Sequence, residues 1–224
     1  MKSFPEVNLC LAVSLDGRIS RGKGAPPDFT SRYDRDKLFR LRASSDALLI
    51  GANTVREEAL PPIIRNQDLV AQRRQKNMPD HPAAVIVSGS LNLPWDTPYF
   101  HERQQELYIL TGKPDAERRQ KLTSIGVHLL ETGEPLSLRR GLQQLGERGY
   151  GVILAEGGGG LVRNLLADGL VHRLYLTVAP LVIGDEGPPL CGGPLPYPGA
   201  GFHLVEHHLE GDEWHLVYQF EAKR

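Results

Sequence analysis

Residues 152–170 read VILAEGGGGLVRNLLADGL. Four apolar residues lead to one acid, Glu156, then to four consecutive glycines, Gly157, Gly158, Gly159 and Gly160, and then to a run with helical character that Gly169 closes. Glycine loses more backbone entropy on folding than any other residue, so four in a row need a reason. In an open α/β sheet, ligands bind beyond the carboxyl ends of the strands. A glycine turn there bares backbone N–H groups, and the helix N-terminus behind it favours an anion. No Lys-Ser/Thr pair follows, which excludes a Walker A loop. The spacing also lacks the third glycine of the dinucleotide fingerprint. The stretch therefore fits a phosphate-bearing cofactor outside the usual dinucleotide fold, or a turn shaped only by helix–sheet packing. A carboxylate at the end of a buried strand, as at Glu156, is a site residue or a structurally paired one.

The same strand–turn–helix unit recurs on both sides. Strands are expected at VNLCLAVS (7–14), DALLIG (46–51), AAVIVS (83–88), ELYILTG (106–112), VHLLE (127–131) and VHRLYLTVAP (171–180). Helices are expected at SRYDRDKLFRLRAS (31–44), with Ser31 and Asp34 forming a cap, and at ANTVREEA (52–59). PDAERRQKLTSIG (114–126) reads as a helix with proline at its start, and LSLRRGLQQLGERG (136–149) as another. Residues 60–82, rich in Pro, Arg and Gln, read as one long loop. After a Gly- and Pro-rich stretch at 180–201, FHLVEHHLEG and EWHLVYQFEA alternate around EGDE as an antiparallel hairpin. Apolar strands alternating with helices give an α/β fold, a mostly parallel central sheet flanked by helices and closed by a C-terminal antiparallel hairpin. With no internal repeat and no linker, residues 1–224 read as a single domain.

Charge and composition narrow the function. Formal charge is −1, which gives no global field for nucleic acid or an anionic membrane. No apolar run approaches the roughly 20 residues of a membrane span. Residues 1–17 have no signal-peptide pattern, and two cysteines, Cys10 and Cys191, make no disulfide framework or zinc spacing, so a cytoplasmic protein without nucleic-acid or membrane partners is expected. His203, His207, His208 and His215 fall on the hairpin, but no second ligand set accompanies them, and no metal is assigned.

Three further stretches carry candidate chemistry. SLDGRIS (14–20) follows the first strand, and its Asp16-Gly17 pair is also a common turn dipeptide. LLIGANTVREEALPPIIR (48–65) holds Thr54, which can cap a helix or bond a ligand, and is flanked by Arg42 and Arg65, a residue type suited to bidentate phosphate binding. VSGS (87–90) and TGKP (111–114) put small polar residues where parallel strands finish, with Lys113 as a point charge for phosphate.

Taken together and in order, AVSLDGRIS, TSRYDRDKLFRLRASSDALLIGANTV and VILAEGGGGLVRNLLADGLVHRLYLTVAPLVIGDEGPPL resemble the riboflavin-biosynthesis reductase family over nearly the whole chain. The resemblance implies a dihydrofolate-reductase-like fold, NADPH as cofactor and a homodimer. It implies reduction of the ribosyl group of a diaminopyrimidine ribosylamino 5′-phosphate to a ribityl chain. By the same resemblance, Gly157 to Gly160, Thr54, Ser88 and Glu58 (where the family commonly has Asp) would contact the cofactor. Arg42, Arg65 and Glu156 would bind the sugar-phosphate substrate, and Glu156, with Asp16, would orient it or assist a proton shift. The H-x-E and P-C-x-x-C pattern of the partner deaminase is absent from this sequence.

Three positions depart from the family pattern. Cys10 stands where some members have Lys or Asn, EEALPP replaces Asp-Asp-Pro, and His172 replaces an acid. These keep two other readings in view. One is a reductase of the same fold acting on a pterin or another carbonyl or imine. The other is a catalytically silent nucleotide-binding protein.

Overall fold

A computed structural model describes residues 3–22, 29–57, 61–196 and 199–221. In chain order the elements are β1 (Glu6–Ser14), α1 (Arg32–Ser44), β2 (Ala47–Gly51), α2 (Ala52–Glu57), α3 (Gln67–Gln75), β3 (Ala83–Val87), α4 (Pro98–His101) and β4 (Leu107–Thr111). They continue with α5 (Ala116–Ser124), β5 (His128–Glu131), α6 (Leu138–Arg148), β6 (Val152–Ala155), α7 (Gly159–Ala167), β7 (Arg173–Ala179), β8 (Phe202–Glu210) and β9 (Glu213–Phe220). The chain clusters into two compact units, Met1–Glu6 with Phe39–Ala155, and Val7–Leu38 with Glu156–Arg224.

The first unit is built on parallel strands in the order β5-β4-β3-β2-β6. Leu48, Leu49, Ile86, Ile109, Leu110 and Ile153 on these strands are wholly buried, as continuous apolar strands covered on both faces require. In the second unit β1 runs parallel to β7, and β7, β9 and β8 follow as an antiparallel ribbon. The mostly parallel α/β architecture and the closing hairpin are thus as the sequence indicates.

Residues 60–82 correct the expectation of one long loop, because α3 lies within them. Asn66 caps it, its side-chain oxygen accepting from the N–H groups of Asp68 and Leu69. The anchor is polar: Arg73 is 1% exposed and donates to the carbonyls of Pro79 at 2.7 Å, Ala43 at 3.0 Å and Ser45 at 2.7 Å. A helix held by an arginine and by one valine, Val70, carries no apolar stripe to read. A smaller correction applies to α5. Pro114 precedes the cap rather than starting the helix, and Asp115 is the cap, accepting from the Arg118 N–H at 2.8 Å.

In the second unit, the α1 cap forms as expected, with Ser31 Oγ accepting from the Asp34 N–H at 3.3 Å. Beyond the cap lies a buried polar cluster. Lys37 Nζ is 2.8 Å from Asp34 and 3.2 Å from His215 Nδ1, and also donates to Thr177. Thr177 Oγ1 donates to Asp34 at 2.6 Å, and Glu213 Oε2 stands 3.6 Å from His215 Nε2. Tyr33 meets the rings of His208 and His215 edge-on, and those two rings stack at 4.9 Å. Burial opposes ionisation of Asp34, but Lys37 together with hydrogen bonds from Thr177 and Thr30 holds the carboxyl below its ordinary range. Burial and the Lys37 charge both push His215 below its ordinary value of 6.5. The hairpin histidines therefore do separate jobs. His203 pairs with Glu221, His207 tilts against Trp214, and His208 and His215 pack in the cluster. Among the described residues no three His, Cys, Asp or Glu are grouped to hold a metal ion.

The sign of the His215 shift sets a pH dependence. Between the folded and unfolded values of this group the unfolded chain binds more protons, so stability falls as pH drops below about 6.5. Urea midpoints measured from pH 7.5 to 5 should decline, and His215→Asn should flatten that slope. A wild-type midpoint independent of pH over this range would contradict the assignment.

Candidate active site

Parallel pairing brings several candidate residues to one edge of the first unit. Gly51 ends β2 opposite Val87 of β3, and Val87 lies opposite Leu110 of β4. The chain turns from Gly51 directly into α2, which is pinned by buried Val55. Thr54 is the third residue of this helix and half-buried, so it is not the cap. Next to it on the β3 side, Ser88 is 3% exposed and its hydroxyl accepts from the Leu91 N–H at 3.0 Å. Arg56 links the two turns by donating to the Asn92 carbonyl at 2.6 Å and to the Asn53 side chain. The Ser88 hydroxyl is thus occupied in shaping its turn. Glu58 lies outside the described residues.

The two candidate arginines flank the segment before α3. Arg42, in the last turn of α1, donates to the Ile63 carbonyl at 3.0 Å and lies over the Phe39 ring. Arg65 is exposed two residues further along. Lys113 is exposed beyond β4.

In the second unit the glycine run divides by role. Only Gly157 and Gly158 form the turn, with φ of 108° and 84°, a region that L side chains rarely adopt. Gly159 and Gly160 already belong to α7, a correction to the reading that placed all four in the loop. Helix φ/ψ there lets Val162 N–H bond the Gly158 carbonyl at 3.0 Å. A Cβ on Gly159 would lie 2.8 Å from the Pro189 carbonyl oxygen, so this glycine is required by packing. A Cβ on Gly160 would meet nothing within 4 Å. The first N–H groups of a helix have no partner within it. The exposed Gly160 thus presents open space at a helix N-terminus, the shape a diphosphate requires. Glu156, half-buried, stands immediately before the turn.

Asp16 lies in the same unit, and its surroundings argue against proton transfer. It accepts from Ser14 Oγ at 2.5 Å, from the Ile183 N–H at 3.1 Å and from the Gly184 N–H at 2.7 Å. The Ser14 hydrogen bond, followed by those two backbone N–H groups, holds its carboxyl far below the usual range. Its two backbone partners lie 167 and 168 residues away, so no local pattern announces them. Arg56, which ties the two turns of the first unit, also escaped the sequence reading, since its partner is a distant carbonyl.

Residues 5–215 match the family described as RibD C-terminal domain. The chain belongs to this family. Among curated relatives, the riboflavin biosynthesis protein PYRR of Arabidopsis thaliana, named as chloroplastic, is 30% identical over 82% of this chain and 29% of its own length. A 2,5-diamino-6-ribosylamino-4(3H)-pyrimidinone 5′-phosphate reductase of Archaeoglobus fulgidus is 25% identical over 84% of this chain and 87% of its own. The chain spans under a third of the length of the two plant relatives it matches. A crystal structure of a pyrimidine reductase-like protein from Corynebacterium diphtheriae superposes with a TM-score of 0.85 at 25% identity, covering 98% of this chain and 93% of that one. Dihydrofolate reductase from Enterococcus faecalis shares the fold, with a TM-score of 0.55 at 12% identity over 97% of each chain.

The two helical glycines should respond oppositely to the same change. Gly159→Ala forces a carbonyl contact and should lower unfolding stability by about 2 kcal/mol. Gly160→Ala should leave stability unchanged or raise it by about 0.5 kcal/mol. Urea unfolding of both variants checks this, and equal losses would remove the distinction.

Proposed function

We propose that this RibD-family protein is an NADPH-dependent reductase that converts the ribosyl group of a pyrimidine ribosylamino 5′-phosphate to its ribityl form in riboflavin biosynthesis. The observation that carries the reading is the exposed glycine, Gly160, in the first turn of α7, with no atom within 4 Å of where a Cβ would stand. That opening fits a cofactor diphosphate lying against bare backbone, and Glu156 directly precedes the glycine run that leads to it. NADPH, when bound, supplies the hydride.

The chain's own residues bind and orient. Gly157 and Gly158 shape the turn, and the N–H groups at the start of α7 hold the diphosphate. Thr54 contacts the cofactor from the first turn of α2, and Glu58 belongs to the same assignment. Ser88 serves the adenosine end by shaping its turn, since its hydroxyl is engaged with the Leu91 N–H. Exposed Arg65 takes the substrate phosphate, and Arg42 holds the Ile63 carbonyl two residues before it. Glu156 orients the ribosyl group and holds a proton near it. Residues 1–224 act as one reductase module in this reading. Cys10 and Cys191 are not joined in a disulfide, which fits a reducing compartment such as the cytoplasm. No helix among the described residues is long and apolar enough to cross a membrane.

The homodimer belongs to the same proposal. β8 is an edge strand, and Leu204, Val205, Leu209 and Trp214 on the hairpin are 48%, 54%, 54% and 46% exposed. Leu209 sits directly opposite Trp214, with Leu204 opposite Tyr218 further along the ribbon. An apolar face beside an unpaired strand edge supports association with a second copy. Sedimentation of Trp214→Glu should then give a monomer where the wild type gives a dimer. A wild-type monomer would reject the dimer.

The activity is tested by following NADPH oxidation with the deaminated and the non-deaminated ribosylamino phosphates in parallel. Turnover of either is expected, and Glu156→Gln should lower kcat about a hundredfold with NADPH affinity unchanged. NADPH binding without turnover of either compound would replace the substrate by another carbonyl or imine, such as a pterin. Absence of NADPH binding would overturn the reading altogether.

A further inference from the structure

We propose that Asp16 is a positioning residue whose carboxylate fixes the loop Leu181–Gly193, and that this loop fixes the first turn of α7. The inference rests on the reading that this turn holds the cofactor.

The loop is fastened along its length to the turn after β1. Leu15 N–H donates to the Leu181 carbonyl at 2.8 Å, and the Ile183 and Gly184 N–H groups donate to the two oxygens of Asp16. Arg18 adds an ion pair to Asp185 at 2.5 Å and a hydrogen bond to the Gly187 carbonyl at 3.2 Å. Ile19 N–H then donates to Pro188, and Leu190 N–H donates to Gly17, both at 3.0 Å. Two residues after this ladder ends, at Gly192, the loop meets α7.

That second contact has no slack. Gly192 N–H donates to the Gly159 carbonyl at 2.9 Å. A Cβ on Gly192 would lie 2.8 Å from the Gly159 carbonyl carbon and 2.9 Å from the Gly160 nitrogen. A Cβ on Gly159 would lie 2.8 Å from the Pro189 oxygen. Backbone packed on backbone transmits a shift of the loop into the helix turn, because neither side has a side chain that can rotate away.

Asp16 is the part of the fastening in which a carboxylate receives backbone N–H groups of the loop directly. Each of its oxygens accepts a backbone N–H, and one also accepts the Ser14 hydroxyl. The carboxyl is therefore ionised throughout the working pH range and carries no proton to substrate. Replacing one oxygen by an amide NH2 sets a donor against a donor. Neither amide orientation avoids this, since Ile183 and Gly184 both donate.

The test compares wild type with Asp16→Asn, Ser14→Ala and Gly192→Ala by hydrogen exchange, NADPH titration and the pH profile of kcat. Asp16→Asn should speed exchange of the Ile183, Gly184 and Gly192 amides and weaken NADPH binding about tenfold, with the pH profile unmoved. Ser14→Ala, which removes one donor to Asp16, should give the same pattern at smaller amplitude. Gly192→Ala should weaken NADPH binding while Ile183 and Gly184 stay protected. Faster exchange confined to Ile183 and Gly184, with NADPH affinity unchanged, would overturn the coupling. A moved limb in the pH profile would make Asp16 a proton carrier instead. If the wild type binds no NADPH, the cofactor reading fails. Gly192 exchange in Asp16→Asn then decides the bracing by itself.

Discussion

In-register parallel pairing sets Gly51 opposite Val87 and Val87 opposite Leu110. Because these strands run the same way, their carboxyl ends finish at one edge of the first unit. Everything assigned to that unit follows: the Gly51 turn into α2, Thr54 in its first turn, and the Ser88 turn beside it. Arg56 then donates to the neighbouring turn, which joins the two. The strands themselves are largely apolar and buried up to the half-buried Gly51 and Val87 at their ends, and contribute direction rather than chemistry.

The glycine run shows how one composition serves several constraints. Gly157 and Gly158 satisfy a backbone conformation, and Gly159 satisfies a packing distance. Gly160 meets neither demand. Its cost in helix stability has no packing return within the described residues of this unit. Asp16 follows the same logic in reverse. It looks like a candidate acid in SLDG, yet its three hydrogen bonds commit it to holding a loop.

The fold was legible where burial is continuous. Apolar runs such as ALLIG and AAVIV can only be strands covered on both faces, and the alternating hairpin announced itself around EGDE. α3 was illegible because Arg73, a residue that usually marks surface, is its buried anchor. The Asn66 cap was the available signal. The family was legible from the order of SLDG, the turn before Thr54 and EGG. The working contacts were less so, because they join distant residues. Asp16 reaches Ile183, and Lys37 reaches His215 across 178 positions. Sequence spacing shows a residue such as Asp16 without its partners, so it reads as chemistry.

In the proposed function the start of α7 receives the cofactor. Titrating NADPH into isotopically labelled protein and following backbone amide shifts tests it directly. The largest shifts should fall on Gly157 to Leu161, with a second group at Thr54 and Ser88 to Asn92. Saturable NADPH binding that leaves the Gly159 and Gly160 amides unmoved would contradict it.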